Sequence, residues 1–157
     1  MKLTLLVVGK TDKTYIKQAI EEYTKRLKHY ISFEIQIIPD IKNAKNLTNS
    51  QQKTTEGKLI LSKDYIGKEV HLFDEGGKMF SSREFAGFIE KKMVSGLKEL
   101  VFVIGGPYGF SNEVYKQAKS KISLSRLTFS HQMARLLCVE QIYRAFTIIK
   151  GEPYHHD

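Results

Sequence analysis

Near the carboxyl end of this 157-residue chain, Glu140, Gln141, Arg144 and Thr147 fall on one narrow polar stripe at helical spacing. Tyr154, His155 and His156 follow after Gly151 and Pro153. A carboxylate, a guanidinium, a phenol and an imidazole in one place could move a proton or hold a developing anion. The imidazole is the side chain whose charge changes near neutral pH, and a guanidinium suits a phosphate or another anion. Glu140 and Arg144 are also spaced i,i+4, so a plain surface ion pair explains them equally. His131 and Arg135 lie upstream on the same run. Arg135 falls on its apolar side, near the line of Val139, Ile142 and Phe146. A charge there needs a partner or a ligand, unless it reaches solvent along its own stem.

Glycine supplies a second kind of chemistry. Three candidate loops at strand ends, following Phe73, Ile104 and Ser123, give FDEGGK, GGPYGF and LSRLTF. In α/β sheets, ligands bind where the carboxyl ends of strands turn into loops. Gly105 and Gly106 remove side chains, so a flat ligand could approach the backbone, although a tight strand-to-helix turn needs the same residues. GGPYGF is not the GxxxxGK[ST] of a phosphate loop, and no GxGxxG follows the first strand. No GxSxG elbow occurs. The five His are scattered except for His155 and His156 beside Asp157, so no metal is expected.

These residues need a frame. Between His131 and Lys150 there is neither Pro nor Gly, and Gly151 stops a long helix. Apart from its polar stripe that helix is apolar, so it must be buried on more than one side, and a partner subunit is the expected cover. Leu3 to Val8 and Leu100 to Ile104 are unbroken apolar runs, as in strands covered on both faces. Phe33 to Ile38 and Val70 to Phe73 read as further strands, the last turning at Asp74 to Gly77. Ile16, Ile20, Tyr23 and Leu27 mark a first helix with Asp12 as its cap. Ile41 to Lys58 is polar and reads as a mobile loop entering a helix that includes Leu59 and Ile60. Ser81 or Ser82 caps a helix through Phe85, Phe88 and Ile89, and another begins near Ser111. The alternation predicts one α/β domain over residues 1–157, with a mainly parallel sheet and helices on both faces.

Composition narrows the partners. Lys and Arg total 25 against 17 Asp and Glu, a net charge of +8 that favours an anionic partner such as nucleic acid, or simply keeps the protein in solution. A single cysteine, Cys138, excludes internal disulfides. No apolar stretch approaches a membrane span, so a cytoplasmic protein without a membrane partner is expected.

VFVIGGPYGF, LSRLTFSHQMAR, EQIYRAF, GEPYHH and the opening MKLTLLVVGK resemble the ribosomal RNA large subunit methyltransferase H family of the SPOUT superfamily, over essentially the full length. The resemblance implies a C-terminal trefoil knot, an obligate homodimer, and S-adenosyl-L-methionine as methyl donor. It implies methylation at N3 of a pseudouridine in 23S ribosomal RNA, in a stem-loop at the subunit interface of the ribosome. Carried over residue by residue, it assigns donor binding to Phe73, Gly105, Leu124, Ser125, Arg126, Leu127, Thr128 and Phe129. Phe73 stands where the family pattern has Leu, which keeps the wall apolar and adds bulk. Candidates for proton transfer and anion stabilisation are Glu140, Arg144, Tyr154 and His155, with His131 and Arg135 toward the RNA. The alternative is a non-catalytic RNA-binding or ribosome-associated factor on the same fold.

Overall fold

In the computed structural model, which describes every residue from Met1 to Asp157, the apolar run at the start becomes the second strand of a five-stranded parallel sheet. The strands are β1 (Lys2–Val8), β2 (Ser32–Ile38), β3 (Lys68–Met79), β4 (Glu99–Ile104) and β5 (Ser120–Ser123), in the order β2-β1-β4-β3-β5. Successive side chains of a strand point to opposite faces. Leu3, Leu5, Leu100 and Phe102 therefore join one core, while Leu6, Val101 and Val103 join the other. Helices α1 (Thr14–Leu27), α3 (Ser82–Val94) and α5 (His131–Ile149) cover the first face. Helices α2 (Asn49–Leu61) and α4 (Asn112–Gln117) cover the second. The α/β architecture expected from the alternation of elements is the one that forms.

α5 packs against α1 and α3 on the sheet. Ser130 caps it, its hydroxyl accepting the Met133 amide at 3.3 Å, and Gly151 ends it with φ of +68°. Val139, Ile142 and Phe146 are wholly buried, each contributing about 1.5–3 kcal/mol. The sequence leads one to expect a second subunit around this helix. Within the chain, the groove between α1 and α3 buries Cys138, Val139, Ile142, Tyr143, Ala145 and Phe146 together with Thr147 of the polar stripe, while Leu136, Leu137, Ile148 and Ile149 stay partly exposed.

Three local features depart from the sequence reading. Asp12 does not cap α1. The residue before the helix is Lys13, without a side-chain cap, and the Asp12 and Lys13 amides donate to the Gln132 side-chain oxygen at the start of α5 (3.0 and 3.3 Å). The polar stretch after β2 is also more ordered than expected. It holds a single 3-10 turn at Ala44–Asn46, and α2 begins at Asn49 behind a reciprocal capping box of Thr48 and Gln51. The helix expected at Leu59 and Ile60 is α2, but hydrophobic spacing could not reveal its start, since its buried residues are Glu56, Gly57 and Ile60. Finally, β3 does not end at Phe73. Its pairing with β5 breaks there and resumes at Lys78, so Asp74 to Gly77 form a bulge rather than a turn. A Cβ on Gly77 would lie 2.5 Å from the Ile122 amide nitrogen, so only glycine lets the two backbones meet.

Candidate donor-binding cleft and C-terminal cluster

β3, β4 and β5 run parallel, so the bulge, the GGPYGF loop and the segment after Ser123 all lie at one rim of the sheet. They enclose a cleft of about 510 Å³, floored by Gly105 and Gly106 and walled by Asp74, Glu75, Phe129 and His131. A smaller hollow of about 100 Å³ continues it, lined by Leu124, Ser125, Leu127 and Ala134 and sharing Phe73, Ile104 and Phe129 with the larger space. Asp74 and Glu75 border both spaces; the glycine backbone lines the larger one, and Leu124, Leu127 and Ala134 add hydrocarbon to the smaller. Ligand pockets span roughly 300–1,000 Å³ and combine apolar walls with a few fixed polar groups.

Side-chain bonds fix the rim. Ser125 organises its own loop, its hydroxyl accepting the Leu127 amide at 3.0 Å and its carbonyl accepting the Ser123 hydroxyl at 2.9 Å. The Thr128 hydroxyl donates to Glu75 at 3.0 Å, tying that loop to the bulge. Asp74 accepts the Gly76 amide at 2.8 Å and the Tyr115 hydroxyl at 2.5 Å. Burial, then Asp74, pushes the Tyr115 phenol up to about 12. Phe73 rests on Phe102 with ring centroids 5.3 Å apart. A Cβ on Gly105 would come within 3.0 Å of the Phe110 ring, so this glycine is set by packing beneath the cleft as well as by access to it.

Of the residues assigned to donor binding by resemblance, Phe73, Gly105, Leu124, Ser125, Leu127, Thr128 and Phe129 line the two spaces. Arg126 is exposed and lines neither. His131 faces the larger one, and burial followed by the charge of Arg135 lowers its pKa. Asp74 and Glu75 were passed over in the sequence, although FDEGGK sits at a strand's carboxyl end. They carry the only charges of the lining, apart from any on His131, in a chain of net charge +8.

Arg135 does not escape to solvent. It is 4% exposed, and its guanidinium donates to the Val8 carbonyl and to the Thr11 hydroxyl (3.1 Å), which holds the end of β1. Its Nε has no partner.

Glu140, Arg144, Tyr154 and His155 do come together, but apart from the cleft, whose lining includes none of them. One oxygen of Glu140 accepts from Arg144 Nη2 (2.5 Å), Arg144 Nε (3.1 Å) and the Tyr154 hydroxyl (3.0 Å). Arg144 lies 4.7 Å from the Tyr154 ring centroid and donates to His155 Nδ1 at 3.2 Å. A guanidinium can only donate. His155 Nδ1 must therefore accept, which leaves the proton on Nε2, 3.1 Å from Asp157. Asp157 is clasped in turn by Arg83 of α3. Burial and the Tyr23 hydroxyl push the Tyr154 phenol upward, so it stays protonated and a donor. No group of His, Cys, Asp and Glu could hold a metal ion, and no helix is long and apolar enough to cross a membrane.

Residues 1–155 match the family model described as predicted SPOUT methyltransferase. A protein of Christiangramia forsetii named ribosomal RNA large subunit methyltransferase H is 60% identical over 156 residues, covering 99% of each chain. One of Parabacteroides distasonis with the same name is 59% identical over 157 residues, covering all of both. Among solved structures, a probable methylase family protein from Haemophilus influenzae superposes with a TM-score of 0.53 at 11% identity. It covers 99% of this chain and 70% of the other, a likeness of fold alone.

Proposed function

The chain belongs to the SPOUT methyltransferase family, and from that premise we infer that it methylates ribosomal RNA of the large subunit, with S-adenosyl-L-methionine as donor. The acceptor in this reading is N3 of a pseudouridine in 23S ribosomal RNA. What carries it is the gathering of the family's donor motifs around one divided cleft at the carboxyl ends of β3, β4 and β5, in a chain that matches its relatives from end to end.

The lining fits that donor. Phe73, Leu124, Leu127 and Phe129 offer hydrocarbon to a purine, the glycine loop offers backbone amides and carbonyls, and Asp74 and Glu75 offer negative charge to a cation. S-adenosyl-L-methionine, when bound, supplies an electrophilic methyl group. The chain's own task is to align the acceptor and manage one proton, since N3 is a protonated imide nitrogen. Glu140 gathers Arg144 and Tyr154 into a pair of donors that can stabilise the imide anion. His155 is the candidate base. Because Arg144 occupies its Nδ1, it accepts a proton only after that bond opens or the ring changes tautomer.

The cluster and the cleft are separate within one chain, and a homodimer resolves this by laying one subunit's tail over the other's cleft. Tyr15, Leu127 and Met133 supply exposed apolar surface where the starts of α1 and α5 meet. The family reading also carries the trefoil knot in the C-terminal third and a cytoplasmic setting.

The test is incubation with methyl-labelled donor and ribosomes that lack the modification, followed by mapping of the labelled nucleotide. Label at N3 of one pseudouridine is expected. Donor binding without label in any RNA would leave a non-catalytic RNA-binding factor.

A further inference from the structure

α2 is mostly solvated, yet it buries a carboxylate. Glu56 is 3% exposed, and the residue after it, Gly57, is buried too. A buried ionisable group is costly unless it is paired and hydrogen-bonded. Glu56 is only half satisfied: one oxygen accepts the Gln52 side-chain amide at 3.1 Å, and the other has no partner. No cation acts on it, while the nearby Asp40, just after β2, adds like charge. Burial and that repulsion raise its pKa, the Gln52 bond opposing them.

The orphan oxygen lies against the glycine loop. A Cβ on Gly106 would sit 2.4 Å from Glu56 Oε2 and 2.5 Å from Oε1. A side chain at Gly106 could enter only if the Glu56 carboxyl group moved aside. One residue along α2, a Cβ on Gly57 would meet the Ser111 hydroxyl at 2.4 Å. Ser111 in turn caps α4 by accepting the Val114 amide. Two adjacent residues of α2 thus seat the two ends of the loop from Gly106 to Ser111, whose near end floors the 510 Å³ cleft.

We propose that Glu56 is a positioning residue for the donor loop, its buried carboxyl group pressing on Gly106 to hold the GGPYG backbone in the shape that takes S-adenosyl-L-methionine. This rests on the donor assigned above. Glu56 touches neither donor nor RNA and acts through the loop. The protonated acid fits the site, being neutral where no cation pairs with it. The carboxylate brings an unpaired charge against the loop and Asp40, so donor affinity falls as pH rises through the raised pKa of Glu56.

Calorimetric titration of the full chain with S-adenosyl-L-methionine, from pH ~5.5 to ~8.5, tests this with Glu56→Gln and Glu56→Ala, thermal melts reporting the fold. Glu56→Gln keeps a neutral isostere. It should hold the low-pH affinity of the wild type to within about twofold and lose the part of the pH dependence due to Glu56. Any part due to His131 stays in both proteins and drops out of the comparison. Glu56→Ala should weaken binding by roughly tenfold or more. Should that variant not fold, the pH profiles of wild type and Glu56→Gln decide alone. Unaltered affinity in Glu56→Ala, or one pH profile shared by wild type and Glu56→Gln, overturns the role of Glu56 and leaves the donor assignment standing. A wild type that binds no donor at any pH overturns both.

Discussion

At the level of single residues, the C-terminal cluster and the rim of the cleft respond to different substitutions. His155 touches Arg144 and Asp157 but nothing in the cleft. His155→Ala should lower turnover by roughly a hundredfold while donor affinity, measured by calorimetry, stays at the wild-type value; an unchanged rate would move the base elsewhere. Gly77 shows the opposite pattern. Because its missing Cβ faces the β5 backbone at 2.5 Å, Gly77→Ala has to part β3 from β5. It should cost about 2 kcal/mol in denaturant unfolding and weaken donor binding as the bulge shifts. The types of both residues were plain in the sequence, but their reasons were not. A glycine required by a turn and one required by an approaching backbone look alike until the neighbouring strand is in place.

Among the elements, those with strong hydrophobic spacing were readable and those built on polar contacts were not. β1, β4 and α5 have the extents that their apolar runs imply. α2 was legible only at its Leu59–Ile60 end, because a helix that buries a glutamate and a glycine has little apolar period; the Thr48 and Gln51 capping pair was the signal for its start. Arg135 was singled out correctly as a charge in the wrong place, while its partner, the Val8 carbonyl at the end of β1, is 127 positions away in the chain. Arg135→Ala should cost about 3 kcal/mol, since it leaves that carbonyl and the Thr11 hydroxyl without their donor in a buried cavity. Arg135→Met, which refills the volume, should cost less in the same thermal and denaturant melts. A Met variant as unstable as the Ala variant would show that the hydrogen bonds, not the packing, dominate.

For the whole molecule, what most separates sequence from structure is where the apolar surface is closed. The centre of α5 is closed within one chain, Ile142 and Phe146 lying at 0% exposure, while Leu136, Leu137, Ile148 and Ile149 stay partly exposed. A charge at Ile142 would therefore unfold the chain rather than divide a dimer. In the dimer proposed above, the contact lies at the start of α1 and α5, where Tyr15 is 67% and Leu127 72% exposed. Tyr15→Glu should sediment as a monomer with a near-normal melting point, and lose methyl transfer because no neighbouring tail covers the cleft. A monomer that still turns over would confine the reaction to one chain. The family motifs made the chemistry legible because they name residues one by one. They could not show that the cluster and the cleft are apart within a subunit, since that depends on how β5 and α5 run over the sheet. The strand order has a consequence for biosynthesis. β4, fourth to be made, is the only strand that joins the β1–β2 pair to β3. A nascent chain cut short before Glu99 holds the β1–β2 pair and a β3 with neither of its partners, all with open edges, and such edges recruit other chains. The apolar faces of α1 and α3 then stay wet until α5 is made. Stalled translation products of this protein should accordingly depend on chaperones far more than the finished chain does.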